Sequence, residues 1–396
     1  MRRSGLPLLV LVAACAGGSE TREPDGTDTE GDELGSSEIT NDTIDPTAFT
    51  TTMTTSTSAT ADTSGGTASS SDASESGSES GSDTTSTADG PTVVDVAPAD
   101  GSEGIEPDAT FTVTFSAAMD PTTVVGDDGS CSGAVQLSRD DFASCVALAA
   151  DAIASEGDTV FELVPADVLD SAARYRVRVT TDAAAADSTP LAAEYESEGF
   201  RVRYFHTIAI DGMDDWNGDE SFATSTNGHT AYTAWDDDYV YLAMRSPDVA
   251  AGNGQVWVVI YFGGAAGTSE GALYNTQQPA LPFDAQWHLR WRADNVYTDA
   301  REWDGASWDT PAWAIGGGDV YQSGELLELR VARSDIGDPD TLELHMGILR
   351  ETDLDEASWA AHPQGSYVDG YDPMYTEYWA FDLLGSATPA EHVSSP

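Results

Sequence analysis

The feature that narrows this chain most is an alternation with a period of two, which returns repeatedly after residue 90. Phe111, Val113 and Phe115 alternate with Thr112 and Thr114. In "RYRVRVT", Tyr175, Val177 and Val179 share one side and Arg176 and Arg178 the other, and "GFRVRYF" repeats the pattern with Phe200, Val202 and Tyr204. In "QWHLRWRA", Trp287, Leu289 and Trp291 alternate with His288, Arg290 and Arg292. Successive side chains of a strand leave on opposite faces, so each stretch reads as a strand with one face buried. Short strands of this kind, separated by Pro, Gly and Asp turns, predict an all-β protein built of sandwiches.

The pattern falls into two blocks, 91–205 and 206–385, with residues 386–396 expected to be a flexible tail. In the second block, Tyr239 to Met244 and "QVWVVIYFGG" are apolar on both faces, as in covered strands. Asp236-Asp237-Asp238 predicts a hairpin turn with Trp235 closing the strand before it, and Asp304-Gly305 predicts another. "SDIG" between two late strands suggests a turn or a short helix. About eight strands with almost no helical periodicity make this a second, larger sandwich.

Before residue 91 the chain is different. Met1-Arg2-Arg3 is basic, and the apolar run that follows, Leu6 to Ala14 broken only by Pro7, is too short to cross a bilayer, which takes about 20 residues. Residues 1–15 therefore read as a secretory signal. Residues 16–90 collapse to Ser, Thr, Gly, Asp, Glu and Ala. Such a stretch has almost nothing to bury and is expected to be a disordered tether. Some 75 flexible residues have a root-mean-square span of about 50 Å. Within it, "DGTDTEGDE" lacks the spacing of a calcium loop.

The formal net charge is −53, from 69 acidic and 16 basic residues, and every basic residue is Arg. The absence of Lys excludes Schiff-base chemistry and a phosphate-loop lysine. A chain this acidic repels nucleic acid, which is not expected as a partner. It suits a soluble exported surface, and bound Ca²⁺ is a candidate because clustered oxygens favour it.

Val12-Ala13-Ala14-Cys15 resembles the lipobox of bacterial lipoproteins. The resemblance implies that Cys15 is acylated and anchors the protein to lipid, and Ala16 after it points to the outer membrane of a diderm bacterium; two or more acyl chains anchor stably. The segment from Pro91 to about Phe205, through "PTVVDVAPADGSEGI", "FTVTFSAAMD" and "YRVRVTTDAAAADSTPL", resembles the bacterial Ig-like domains of the SbsA type. Those domains act as spacers or binding modules, with no catalysis implied. Cys131 and Cys145 lie within it, close enough to clip a hairpin-like excursion. An oxidising compartment favours a disulfide, and with Cys15 acylated they are the only pair left; two free thiols or a metal pair are the alternatives.

The second block, through "IDGMDDW", "AWDDDYVYLAMRSPD" and the late pairing of "LELRVARSDIG" with "LELHMGILRETD", resembles the carbohydrate-binding module family 9-like group, akin to DOMON domains. That implies a sandwich binding sugar, sometimes haem, and often structural calcium. Sugars present flat C–H faces on which indoles stack. Trp303 and Trp308 on a predicted hairpin, Trp313 after it and Trp359 in a predicted loop are the candidate ligand residues, while Trp216, Trp235 and Trp257 match framework positions and are assigned to the core. Asp211, Asp214 and Asp215, Asp236, Asp237 and Asp238, and Asp369 and Asp372 are the calcium candidates. For haem, adjacent His345 and Met346 on one strand point to opposite faces and supply one axial ligand at most. "GTSEG" at 267–271 matches a nucleophile-elbow spacing, but no helix follows it. The expectation is therefore a surface-anchored, noncatalytic protein that binds polysaccharide. A structural or adhesive protein without a small ligand is the alternative, and a haem domain a more remote one.

Overall fold

A computed structural model of the chain describes residues 90–149, 152–352 and 355–396. Cys15, the signal segment and the tether lie outside the described residues. The first domain contains β1 (Val93–Ala97), β2 (Phe111–Phe115), β3 (Val135–Ser138), β4 (Ile153–Ser155), β5 (Val160–Leu163), β6 (Arg174–Val179), β7 (Tyr195–Glu196) and β8 (Phe200–Arg201). One sheet runs β1-β2-β5-β4; β6 pairs with β3, β7 and β8 in the other. The predicted alternation sets which face each strand buries: Phe111, Val113 and Phe115 meet Tyr175, Val177 and Val179 in one core.

Cys131 and Cys145 are disulfide-bonded at a sequence separation of 14. The excursion they clip is organised by Asp127, a buried carboxylate that accepts the amides of Gly129, Cys131 and Gly133 at 2.7–2.9 Å.

The second domain contains β9 (Ser221–Ala223), β10 (Thr230–Trp235), β11 (Tyr239–Arg245), β12 (Val256–Glu270), β13 (Ala280–Arg292), β14 (Thr298–Trp303), β15 (Trp308–Asp309), β16 (Val320–Ser323), β17 (Leu326–Ala332), β18 (Thr341–Arg350), β19 (Ala357–His362) and β20 (Trp379–Asp382). A five-stranded sheet, β16-β17-β11-β10-β9, faces a seven-stranded one, β15-β14-β13-β12-β18-β19 with β20 also on β18. The expected "SDIG" turn is a short 3-10 helix over Arg333–Ile336. Val258, Ile260, Phe262, Trp287, Leu289 and Trp291 fill the space between the sheets together with Leu242, Met244 and Leu327. The opposite face of the seven-stranded sheet therefore carries Trp257, Val259 and Tyr261 from β12, and His288, Arg290 and Arg292 from β13. Part of that face is covered by the β12–β13 connection and by residues near Tyr375.

The expected flexible tail at 386–396 is packed instead. Its Ser386 hydroxyl accepts the amide of Gly104 at 2.6 Å and donates to the carbonyl of Arg201. Glu391 pairs with Arg201, His392 lies against Trp235 and Phe381, and Ser395 bridges to Tyr378. The polar sequence hid this because the contacts are hydrogen bonds to the first domain and a histidine on an aromatic edge, not a hydrophobic repeat. Arg203, nearly fully buried, completes the junction by bonding both Glu106 and Asp237.

Candidate functional site

Trp303 ends β14 and Trp308 begins β15, and the two pair directly across the hairpin turned by Asp304-Gly305. The Asp304 carboxylate accepts the amides of Ala306 and Ser307 at 2.8 Å, which fixes the turn. Direct partners share a face, and these two lie on the outer face of the seven-stranded sheet. Their rings meet at 62° with centroids 5.9 Å apart, forming a corner and not a flat platform. The Trp308 N–H donates to the carbonyl of Glu270 at 3.0 Å, which holds the indole against the end of β12.

The corner opens into a cleft of about 390 Å³, shared with Arg290, Arg301, Glu270 and Gln278, with exposed Leu273 at its rim. Asp299 organises the cationic side, accepting from Arg290 at 2.8 Å and from Arg301 Nε at 2.7 Å. That leaves the terminal nitrogens of Arg301 and the carboxylate of Glu270 without partners among the described residues. Beneath lies a buried polar stack. Tyr261 stacks on His288 at 4.2 Å, and Trp308 stands edge-on to both. Burial drives the His288 pKa down to about 3, so the ring is neutral. Its Nδ1–H donates to the carbonyl of Ile260 at 2.9 Å, which leaves Nε2 to accept from the Tyr274 hydroxyl. The floor is thus hydrogen-bonded and uncharged, and the charge sits at the walls.

The other expected indoles are elsewhere. Trp313 packs against the inter-sheet core and borders a separate recess of about 120 Å³. Trp359 lies on β19, not in a loop; its N–H donates to Asp248, which also bonds His229. The four candidates therefore do not line one groove; two of them do. Trp235 and Trp257 are buried as expected, whereas Trp216 is half-buried at the core edge against Tyr232.

The calcium candidates are dispersed, and most are already engaged. Asp211 accepts the amide of Met213, Asp214 pairs with Arg245, and Asp215 accepts the amide of Ala209. Asp236 accepts from Tyr241, Thr207 and the amides of Asp238 and Tyr239, and Asp237 pairs with Arg203, while Asp238 is exposed. Asp369 accepts from Thr226 and Ser225, and Asp372 from the amide of Gln278. These donors do not converge, and among the described residues no group of three or more His, Cys, Asp or Glu is placed to hold a metal ion.

The "IDGMDDW" motif also wraps a buried carboxylate. Glu328 is fully buried on β17 and accepts the amides of Gly212 and Asp211 and the Trp216 N–H at 2.7–3.2 Å. Burial still holds its carboxyl above the ordinary value. Gly212 is at φ +81°, and a Cβ there would lie 2.5 Å from Ser323, so glycine is required for the loop to reach the carboxylate.

His345 bonds Ser366 and lies tilted against the Tyr375 ring, while Met346 lies between the sheets, so this pair does not fit a haem axial set. "GTSEG" lies at the end of β12 with a hairpin connection after it. Glu270, Arg290, Arg301 and Gln278 went unread as site residues. Arg290 carried a signal, since it sits between Leu289 and Trp291 on a half-buried strand, but which side of the sheet is open depends on long-range packing.

Residues 87–205 match a family model described as a bacterial Ig-like domain. No curated protein matches the chain. Among solved structures, the chain is similar to the N-terminal part of the bacterial S-layer protein SbsC, at 13% identity over 55% of this chain and 42% of that one, with a TM-score of 0.22. It is also similar to the part of native alpha-2-macroglobulin from Escherichia coli that spans domains MG0-NIE-MG1, at 11% identity over 74% of this chain and 94% of that one, TM-score 0.21. A third is a pullulanase from Anoxybacillus, at 10% identity over 69% and 27%, TM-score 0.17. The chain spans less than half the length of the S-layer structure, and TM-scores at this level carry no functional inference. Among the described residues no helix is long and apolar enough to cross a membrane.

Proposed function

We propose that this is an exported surface protein, held to lipid through acylated Cys15, whose Ig-like domain is a spacer and whose second sandwich binds a neutral carbohydrate without catalysis. The observation that carries the binding role is the Trp303–Trp308 corner, with unpartnered Arg301 nitrogens and the free Glu270 carboxylate around it. An indole face takes the C–H side of a pyranose ring. Arginine N–H groups donate to its hydroxyls and a carboxylate accepts from them, the mixture of apolar wall and few polar groups typical of small-ligand clefts. A neutral sugar suits the cleft better than an acidic one, because the chain's net charge of −53 repels anions.

A purely structural strut is favoured by one observation: none of the ten indoles is fully exposed, so every one contributes to packing. Affinity electrophoresis of the whole chain in gels containing neutral polysaccharides separates the two. Retardation that disappears in the Trp303→Ala/Trp308→Ala variant supports binding, and no retardation on any neutral polysaccharide supports the strut.

A further inference from the structure

A larger cleft, of about 630 Å³, lies where β12 leaves its ladder. Gly263 and Thr268 both register with Ala285, so the residues between them, "GAAG", are pushed out as a wide bulge. Three glycines border the space. A Cβ on Gly263 would lie 2.2 Å from the Glu343 carboxylate; one on Gly264 would lie 2.4 Å from Gln286 and 2.7 Å from the Trp287 ring; one on Gly337 would approach that ring at 3.3 Å. Side chains at these positions would close what the bulge opens.

The cleft is chemically one-sided. Asp340 and Glu343 line it, and no Arg or His does. Neither carboxylate makes a hydrogen bond or ion pair with a described residue, although most arginines of the domain are paired. Burial and the nearby Asp284 hold the Glu343 carboxyl above its ordinary value, as happens to a carboxylate that lacks a cation. Trp287, more than nine-tenths buried, borders the same space, and its indole N–H donates to no described residue. An apolar ring beside two unpaired carboxylates suits an organic cation better than a hydrated metal ion, which has no use for the indole.

We infer that the cleft between Gly263–Gly264 and Gly337–Glu343 binds an organic ammonium group, carried either by an amino sugar of a glycan or by a free polyamine. The site is separate from the Trp303–Trp308 corner, and it stands whether or not that corner binds sugar. The test is calorimetric titration of the full chain with glucosamine oligomers, with N-acetylglucosamine oligomers of the same length, and with spermidine. Each is repeated in the Trp303→Ala/Trp308→Ala variant to remove any contribution from the first cleft.

The expected result is that an amine ligand binds in both proteins, weakens as salt is raised, and loses at least tenfold in affinity in Glu343→Gln and in Gly264→Val. The acetylated oligomer should bind at least tenfold more weakly than its deacetylated counterpart. Binding of glucosamine oligomers alone assigns the ammonium to a glycan, and binding of spermidine to a free polyamine. Glu343→Gln is nearly isosteric, so it remains informative should Gly264→Val fail to fold. Equal binding of acetylated and free-amine oligomers, unchanged affinity in Glu343→Gln, loss of amine binding in the tryptophan variant, or no binding of any amine would each overturn the inference.

Discussion

The Ig-like domain contains no tryptophan, whereas the second sandwich contains all ten, and the two differ accordingly in what holds them together. The first has a small core of Phe, Val, Leu and Tyr and a disulfide. Its surface arginines are consumed locally: Arg139 by Asp170, Arg174 by Glu103, Arg176 by Asp141 and Glu196. The second has a core rich in indoles and keeps two of them at an open corner, where Arg290 and Arg301 share the single carboxylate of Asp299. A domain that packs its rings and pairs its arginines is suited to spacing. One that leaves ring faces and unpaired donors in a cleft has capacity for a ligand.

The largest effect expected from this contrast is in the aromatic core. Trp235 is fully buried against Tyr204 and Phe381, and Trp235→Ala should cost about 3–5 kcal/mol. Because Tyr204 and the hydrogen bond from the His206 amide to the Trp235 carbonyl belong to the junction, calorimetry should show the melting of both domains lowered. A loss confined to the second domain would mean the junction does not couple them. Next comes the disulfide. Closing a loop of this length contributes about 3 kcal/mol in the chain-entropy picture. Cys131→Ser/Cys145→Ser should therefore lower the Ig-like transition more than that of the sandwich, and the reverse order would break the contrast.

Gly212→Ala sharpens it on the other side. The residue must hold φ +81° and clear Ser323, so the variant should lose about 1–3 kcal/mol. Chelator should not reproduce this loss in the parent protein, because the loop serves Glu328. A denaturant series with and without chelator is the measurement.

The smallest effect is pH-dependent. Glu220, fully buried, accepts from Tyr204, His206 and the amide of Asn217. The hydrogen bond to Glu220 raises the His206 pKa above its ordinary 6.5. Burial pushes Glu220 upward, but the bonds from His206, Tyr204 and Asn217 overcome it and hold the carboxyl below its ordinary 4.5. The histidine contribution is complete below 6.5 and fades as pH rises through the raised value. The carboxylate contribution is complete above 4.5 and fades as pH falls through the lowered one. Stability measured against pH should therefore lose in His206→Gln the part confined to that window, most clearly between pH 4.5 and 6.5.

The strand faces were readable because a period of two is local. "FTVTF" and "QWHLRWR" announce which face of each strand meets the main core before any partner strand is known, although His288, on the other face, is also fully buried once the β12–β13 connection covers it. The hairpins at Asp236 and Asp304 were readable for the same reason, as their carboxylates cap their own turns. What could not be read depends on distant chain. Trp359 looks like a loop residue until β18 pairs with it, and residues 386–396 look free until Gly104 and Arg201 bond to them. The acidic motifs suggested calcium because carboxylates are calcium's ligands, yet here most of them bind backbone amides or arginines. Trp303 and Trp308 were both named from sequence, but their shared cleft with Arg301 and Glu270 is a product of the sheet.

The proposed carbohydrate binding depends on the corner formed by Trp303 and Trp308 being a sugar site. Isothermal titration of a neutral oligosaccharide, chosen from the polysaccharide that retards the parent, compares the parent with Trp303→Ala most directly. Losing one stacked indole should weaken binding by about ten- to a hundredfold, matching about 1.5–3 kcal/mol for an aromatic side chain that buries its face, with the variant still folded and melting cooperatively. Equal affinity in the two proteins would contradict sugar binding at the corner and favour the purely structural reading of the second sandwich.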